Sequence, residues 1–189
     1  MDRLVVVDET FLLRNYKKLF KSFKILIPNA VIQKIQRKSL VNIEEIHNLT
    51  EDRKRSFHKL CQSHVIKGLL KNNPEKYEII GSSRTGWVQK IQPFADFFQE
   101  RKGFNYFEDQ TRTTATLSAL QEKYHSTRII FLSEDDSLRE FVKAVFAEFL
   151  PNNFLECCGA YGKLPEELRE KNSRLIIKKE KKKFIKEVA

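Results

Sequence analysis

Cysteine is scarce in this sequence, with three residues, Cys61, Cys157 and Cys158. An odd count that includes an adjacent pair builds no disulfide framework, which excludes a small secreted, disulfide-held scaffold. Six glycines and five prolines are too few for a disordered or low-complexity polymer. No apolar run approaches the roughly 18 residues that span a bilayer, and the opening Met-Asp-Arg leads into a strand-like run with no signal-peptide pattern. No membrane association is expected, and the expected location is the cytoplasm or nucleus. The four histidines, His47, His58, His64 and His125, show no metal-ligand spacing. What is plentiful is positive charge: 35 Lys and Arg against 25 Asp and Glu, a formal net charge of +10. Such a surplus favours polyanionic partners without choosing among RNA, DNA and other acidic surfaces. With 189 residues, 41% hydrophobic and 32% charged, the chain has the size and balance of one folded domain with a small appendage.

Hydrophobic patterning organises that domain. Leu4 to Val7 is a short, fully apolar run rich in β-branched valine, the mark of a central strand covered on both faces. It ends at Asp8-Glu9-Thr10, after which Phe11, Leu12, Tyr16 and Leu19 fall at helical spacing. Ile25 to Ile27 predicts a second strand stopped by Pro28, and Val31, Ile32 and Ile35 a helix. Asn42 is a candidate cap for a further one. Glu51 to Leu70 predicts a long basic helix with Phe57, Leu60, Cys61, Val65 and Leu69 as its apolar stripe, ended by Asn72-Asn73-Pro74. Tyr77 to Ile80 predicts a third strand closed by Gly81. Arg84 to Gly103 reads as one amphipathic helix or as two pieces broken at Pro93. Asp109 to Tyr124 predicts a helix with Leu117, Leu120 and Tyr124 on its inner face. Ile129 to Leu132 is another buried strand, followed by a helix from Leu138 to Phe149, a last strand over Asn153 to Cys157, and a short helix opened by Pro165. Strands alternating with helices predict an α/β fold, a three-layer sandwich whose central, mostly parallel twisted sheet is flanked by helices. The expected division is an α/β domain over residues 1–160 and a basic extension over 161–189.

Two of the buried strands end in acidic residues followed by a helix. In a parallel sheet both carboxyl ends lie on one edge, where ligands bind. Asp8 and Asp135 should therefore converge, with Asp136 beside them, and Asp109 sits at the start of the helix leading into the later strand. Clustered carboxylates repel one another unless a cation compensates, and hard oxygen ligands select Mg²⁺ or Mn²⁺. Each residue also has a local reading. Asp8 and Asp135 sit where a helix N-cap belongs, Asp109 and Asp136 where the helix dipole favours an acid. Ser133 suits either ligand positioning or local backbone bonding. Cys157-Cys158 reads as core packing. Arg53, Lys54, Arg55 and Lys59 on the long helix, and Lys181, Lys182 and Lys183 near the C-terminus, are either nucleic-acid contacts or solvated charge. Trp87, Phe104 and Tyr106 are either base-stacking platforms or core.

The segments LVVVDETFLL, ILIPNAVIQKI, FEDQTRTTATLSAL and IIFLSEDDSLREFV, spanning roughly residues 2 to 158, resemble the PIN domain, a family of mostly metal-dependent ribonucleases. The resemblance implies a metal-dependent endoribonuclease acting on RNA phosphodiesters with Mg²⁺ or Mn²⁺, with Asp8, Asp109 and Asp135 as catalytic and metal-binding residues and Asp136 as a further metal ligand. Two departures from the family pattern imply an alternative. Lys34 stands where an acidic residue is usual, and Asp8-Glu9-Thr10 replaces Asp-Thr-Asn or Asp-Thr-Ser. The alternative is a degenerate PIN module that binds RNA or a protein partner without cutting. For the active reading, Glu44 or Glu45 is a candidate to supply the missing carboxylate from a different position. A lesser alternative is a haloacid-dehalogenase-like phosphatase, which expects a second Asp where this chain has Thr10.

Overall fold

The computed structural model describes residues 3–22, 24–39, 51–81, 85–102 and 108–160, together with Pro165. The chain runs β1 (Arg3–Val7), α1 (Glu9–Ser22), β2 (Ile25–Pro28), α2 (Asn29–Ser39), α3 (Glu51–Asn72), β3 (Tyr77–Ile80), α4 (Thr85–Lys102), α5 (Glu108–Lys123), β4 (Arg128–Leu132), α6 (Asp136–Phe149) and β5 (Leu155–Cys158), with a 3-10 turn at Pro74–Lys76 before β3. The five strands form one sheet in the order β3-β2-β1-β4-β5, and every pairing is parallel. The α/β sandwich expected from the alternating pattern is therefore the observed architecture, with an all-parallel sheet.

Side chains alternate across a strand, so each apolar strand supplies two faces. Val5 and Val7 of β1, Ile25 and Ile27 of β2, and Ile130 and Leu132 of β4 pack against α1, α2 and α3. Val6, Ile129 and Phe131 point the other way, against Leu117 of α5 and Leu138, Val142 and Phe146 of α6. Each such fully buried side chain is worth about 1.5–3 kcal/mol of hydrophobic stabilisation. Outside this second helical layer lies α4, whose Trp87, Ile91 and Ala95 pack on Ala115 and Ala119 of α5 and Phe141 and Val145 of α6.

The structure revises several local expectations. Of the two readings of Arg84 to Gly103, the single helix is the one observed, with Pro93 inside a continuous α4. Its exposed ring leaves the inner stripe of Trp87, Ile91 and Ala95 intact, and the packing of that stripe outweighs the roughly 3 kcal/mol that an interior proline costs. Tyr124 does not face inward: it lies just past α5 and is 40% exposed. Among the described side chains of α3, Ser63, Ile66 and Leu70 are buried and Leu69 packs against the core, while Val65 is 48% exposed; those of Phe57, Leu60 and Cys61 lie outside the described residues. Pro28 closes β2 from within, and the last strand extends through Cys158. No described helix is long and apolar enough to cross a membrane. Asn42, Glu44, Glu45, His47, Phe104, Tyr106, the expected helix after Pro165 and the tail lysines Lys181, Lys182 and Lys183 lie outside the described residues, as do the side chains of Arg53, Lys54, Arg55 and Lys59.

Candidate functional site

Parallel pairing aligns Val7 of β1 with Leu132 of β4, so the residues after them meet at the carboxyl edge. The backbone N–H of Asp8 donates to the Leu132 carbonyl at 3.0 Å, extending the ladder by one residue. Burial follows, and Asp8 is only 3% exposed. Its carboxylate caps α1, accepting from the Phe11 N–H at 2.9 Å. It also accepts from the Thr10 hydroxyl, 2.9 Å from each oxygen. The Ser133 hydroxyl donates to its second oxygen at 2.8 Å. Removal from water pushes the Asp8 carboxyl up to about 6, against the opposing pull of these hydrogen bonds.

Ser133 is the bridge between the two strand ends. Its hydroxyl also accepts from the Asp135 N–H at 3.1 Å. The Asp135 carboxylate caps α6 through the Leu138 N–H at 3.0 Å and takes a bond from the Gln110 amide at 3.1 Å. Since Gln110 opens α5, the start of that helix is tied to the same edge. Asp109, next to it, is held by Arg37 at 2.6 Å. Glu9, 5% exposed, is held by Lys34 at 2.9 Å. Glu134 pairs with Arg14 at 2.6 Å and accepts from Asn15 at 3.0 Å. Asp136, at the start of α6, turns outward to pair with Arg139.

The acids expected at the edge are thus gathered there unevenly. Asp8 and Asp135 are joined through one serine; Asp109 arrives on the neighbouring helix start but is turned to α2; Asp136 is 85% exposed and paired elsewhere. A divalent cation needs several converging oxygens with free lone pairs. Here the Asp8 oxygens accept from hydroxyls and a backbone N–H, those of Asp135 accept from a backbone N–H and the Gln110 amide, and among the described residues no three His, Cys, Asp or Glu side chains form a group able to hold a metal ion. The donor set in this arrangement does not fit Mg²⁺ or Mn²⁺. Two neighbouring acids, Glu9 and Asp109, are met by Lys34 and Arg37 of α2. The two cations stand three residues apart and so share one face of α2.

Sequence reasoning located Asp8, Asp135 and Lys34 but missed Glu9, Arg37, Gln110 and the bridging role of Ser133. The spacing of Lys34 and Arg37 on one helical face was a usable signal for the second cation. The Thr10 hydroxyl is a further structural member, since it accepts from the Glu134 N–H at 2.9 Å while donating to Asp8. Elsewhere Trp87 is buried, with its indole N–H bonded to Glu122 at 2.8 Å, so it is no base-stacking platform. His64 and His125 are exposed. Burial raises the thiols of Cys157 to about 12 and Cys158 to about 11, which fits packing and not reactivity.

Fold and edge together define a parallel α/β domain with acidic residues at the carboxyl ends of its two central strands. No protein-family model and no curated protein matches the chain. Among solved structures it is similar to VapBC2 from Rickettsia felis bound to a DNA fragment from their promoter, at 14% identity and a TM-score of 0.37, covering 82% of this chain and 98% of that one. Likeness at this level adds nothing to the fold, which rests on the strand order itself.

Proposed function

We propose that the chain is a PIN-like module that binds RNA without cutting it. The observation that carries this reading is the pair of cations from α2 set on the acidic edge, Lys34 on Glu9 and Arg37 on Asp109. They neutralise two of the carboxylates around that edge and leave Asp109 turned away from Asp8 and Asp135. A fixed ammonium or guanidinium does not activate a bound water as a metal ion does. The net charge of +10 supplies the attraction to a phosphate backbone. Arg53, Lys54, Arg55, Lys59, Lys181, Lys182 and Lys183 are the residues proposed to make those contacts.

The test is RNA binding measured by fluorescence anisotropy across salt concentrations, with and without a chelator. Affinity is expected to fall steeply with salt and to ignore the chelator. Labelled RNA incubated with Mn²⁺ should remain intact with both wild type and Asp8→Asn.

A second reading, a metal-dependent ribonuclease using Asp8, Asp109 and Asp135, has one observation in its favour: the Asp8-Ser133-Asp135 linkage brings two acids from distant parts of the chain to adjacent strand ends. It requires the Arg37–Asp109 pair to open. Mn²⁺-dependent cleavage that disappears in Asp8→Asn would establish it and overturn the first reading.

A further inference from the structure

Strand order divides the chain's charge between two faces. From β1 the sheet grows through β2 to β3 in one direction and through β4 to β5 in the other. Right-handed crossovers then put α1, α2 and α3 on one face and α4, α5 and α6 on the other, which is how the core packs. By sequence α1 carries four Lys or Arg against one acid, α2 three against none and α3 six against two. On the opposite face α4 carries three against two, and α5 and α6 carry two against three each. The positive surplus of the helices therefore lies wholly in the first layer. Charge divided in this way is a mark of contact with nucleic acid or an acidic membrane surface.

Part of that charge is already matched, since Arg14, Lys34 and Arg37 are held by Glu134, Glu9 and Asp109. The second half of α3 is different. Ser63, Ile66 and Leu70 are buried, and the other side of the helix turns His64, Lys67, Gly68 and Lys71 to solvent. These four stand at i, i+3, i+4 and i+7, so they form one row along the helix. Neither Lys67 nor Lys71 pairs with a carboxylate among the described residues. Two lysines four apart repel each other, and an interior glycine weakens a helix relative to alanine. No neighbour requires Gly68, because a Cβ there would meet nothing within 4 Å. Both features disfavour the helix, and both suit a partner that carries negative charge in its own backbone. The lysines attract such a chain, and the missing side chain at Gly68 lets it lie close against the helix. Because α3 passes through a single 3-10 turn into the start of β3, this row lies toward the amino edge of the sheet, opposite the acidic carboxyl edge.

We propose that the row His64, Lys67, Gly68 and Lys71 on α3 seats the sugar-phosphate backbone of RNA. The assignment rests on the RNA-binding reading and gives it a surface, continuing along the helix that carries Arg53, Lys54, Arg55 and Lys59. The row covers about 10 Å of helix axis, long enough for successive phosphates of one strand. The lysines supply charged donors and the His64 ring a further one, so phosphate is read and base sequence is not. An acidic peptide carries its charge at the ends of side chains, which reach a lysine from a distance and gain nothing from bare backbone at Gly68. Membrane-surface helices set Trp, Phe or Leu against their lysines, whereas this row holds glycine and histidine.

The test is fluorescence anisotropy of labelled oligouridylate with the full chain. Lys67→Ala combined with Lys71→Ala should weaken binding about tenfold and lower the logarithmic salt slope by about 1.4, the share of two phosphates. Gly68→Ala and Gly68→Met should both raise the melting temperature, since each favours the helix, yet Gly68→Met should weaken RNA binding about three- to tenfold. A glycine kept for folding alone would do the reverse, lowering the melting temperature on substitution and leaving the affinity of the folded protein unchanged. Lys90→Ala combined with Lys143→Ala, on the opposite layer, should bind as wild type does. No RNA binding by wild type defeats the RNA reading itself. Where wild type binds, full affinity in Gly68→Met or in the Lys67, Lys71 double variant, or an equal loss in the Lys90, Lys143 double variant, overturns this surface and leaves that reading standing. Polyglutamate bound as tightly as oligouridylate would overturn it in favour of an acidic protein partner.

Discussion

Asp8 shows how much of a residue's chemistry lies outside its own side chain. Its place after a buried strand was legible, because a continuous apolar run rich in β-branched valine has only one way to end at a polar residue. Its proton affinity was not, since that depends on what covers it. In the folded protein the carboxyl titrates near 6, against 3.8 for an unperturbed aspartate, because burial disfavours the charge. Between those values the folded state holds a proton that the unfolded chain releases. The stability contributed by that proton is full below about pH 3.8, declines as pH rises through the window, and is gone above about 6. Asp8→Asn keeps an acceptor for the Phe11 N–H and removes the titration. Relative to wild type the variant should gain about 1–3 kcal/mol on passing from pH 4 to pH 7. Denaturant melts across that range check it, and a constant difference between the two proteins refutes the burial account.

At the scale of elements, α2 decides the character of the acidic edge. The apolar positions Val31, Ile32 and Ile35 bury one face and thereby aim Lys34 and Arg37 at Glu9 and Asp109. A double variant, Lys34→Glu with Arg37→Ala, removes both cations and adds a carboxylate. It should bind Mn²⁺ measurably by calorimetry where wild type does not, and its melting temperature should rise when Mn²⁺ is added. If neither protein binds, the cations are not what keeps metal away. The helix α4 carries a separate prediction. Pro93 removes an intrahelical donor from an otherwise continuous helix, so Pro93→Ala should stabilise the protein by about 1–2 kcal/mol in thermal unfolding. A lower melting temperature would show that the packing of Trp87, Ile91 and Ala95 depends on the bend a proline imposes. The sequence left α4 open between one helix and two, because a proline ends most helices and only the surfaces of α5 and α6 beneath it decide for one.

For the whole molecule the governing quantity is charge. Affinity for single-stranded RNA should fall with salt at a slope near 0.7 per neutralised phosphate on logarithmic axes. Replacing Lys181, Lys182 and Lys183 together by alanine should reduce that slope by about 2 if the three lysines contact phosphate. An unchanged slope would make them solvated charge only. The sequence by itself determined the alternation of strands and helices, the acids at the ends of two strands and the basic balance, because each follows from local pattern or from a simple sum over side chains. The tertiary structure alone decided the strand order, which puts β1 and β4 side by side and lets Ser133 reach Asp8 from 125 positions away. It also decided which cation meets which acid. Asp8 at the end of its strand was visible in the chain; Asp109 turned to Arg37 and Glu9 to Lys34 was not. Such pairings depend on distances between helices that are set by the packing of the core.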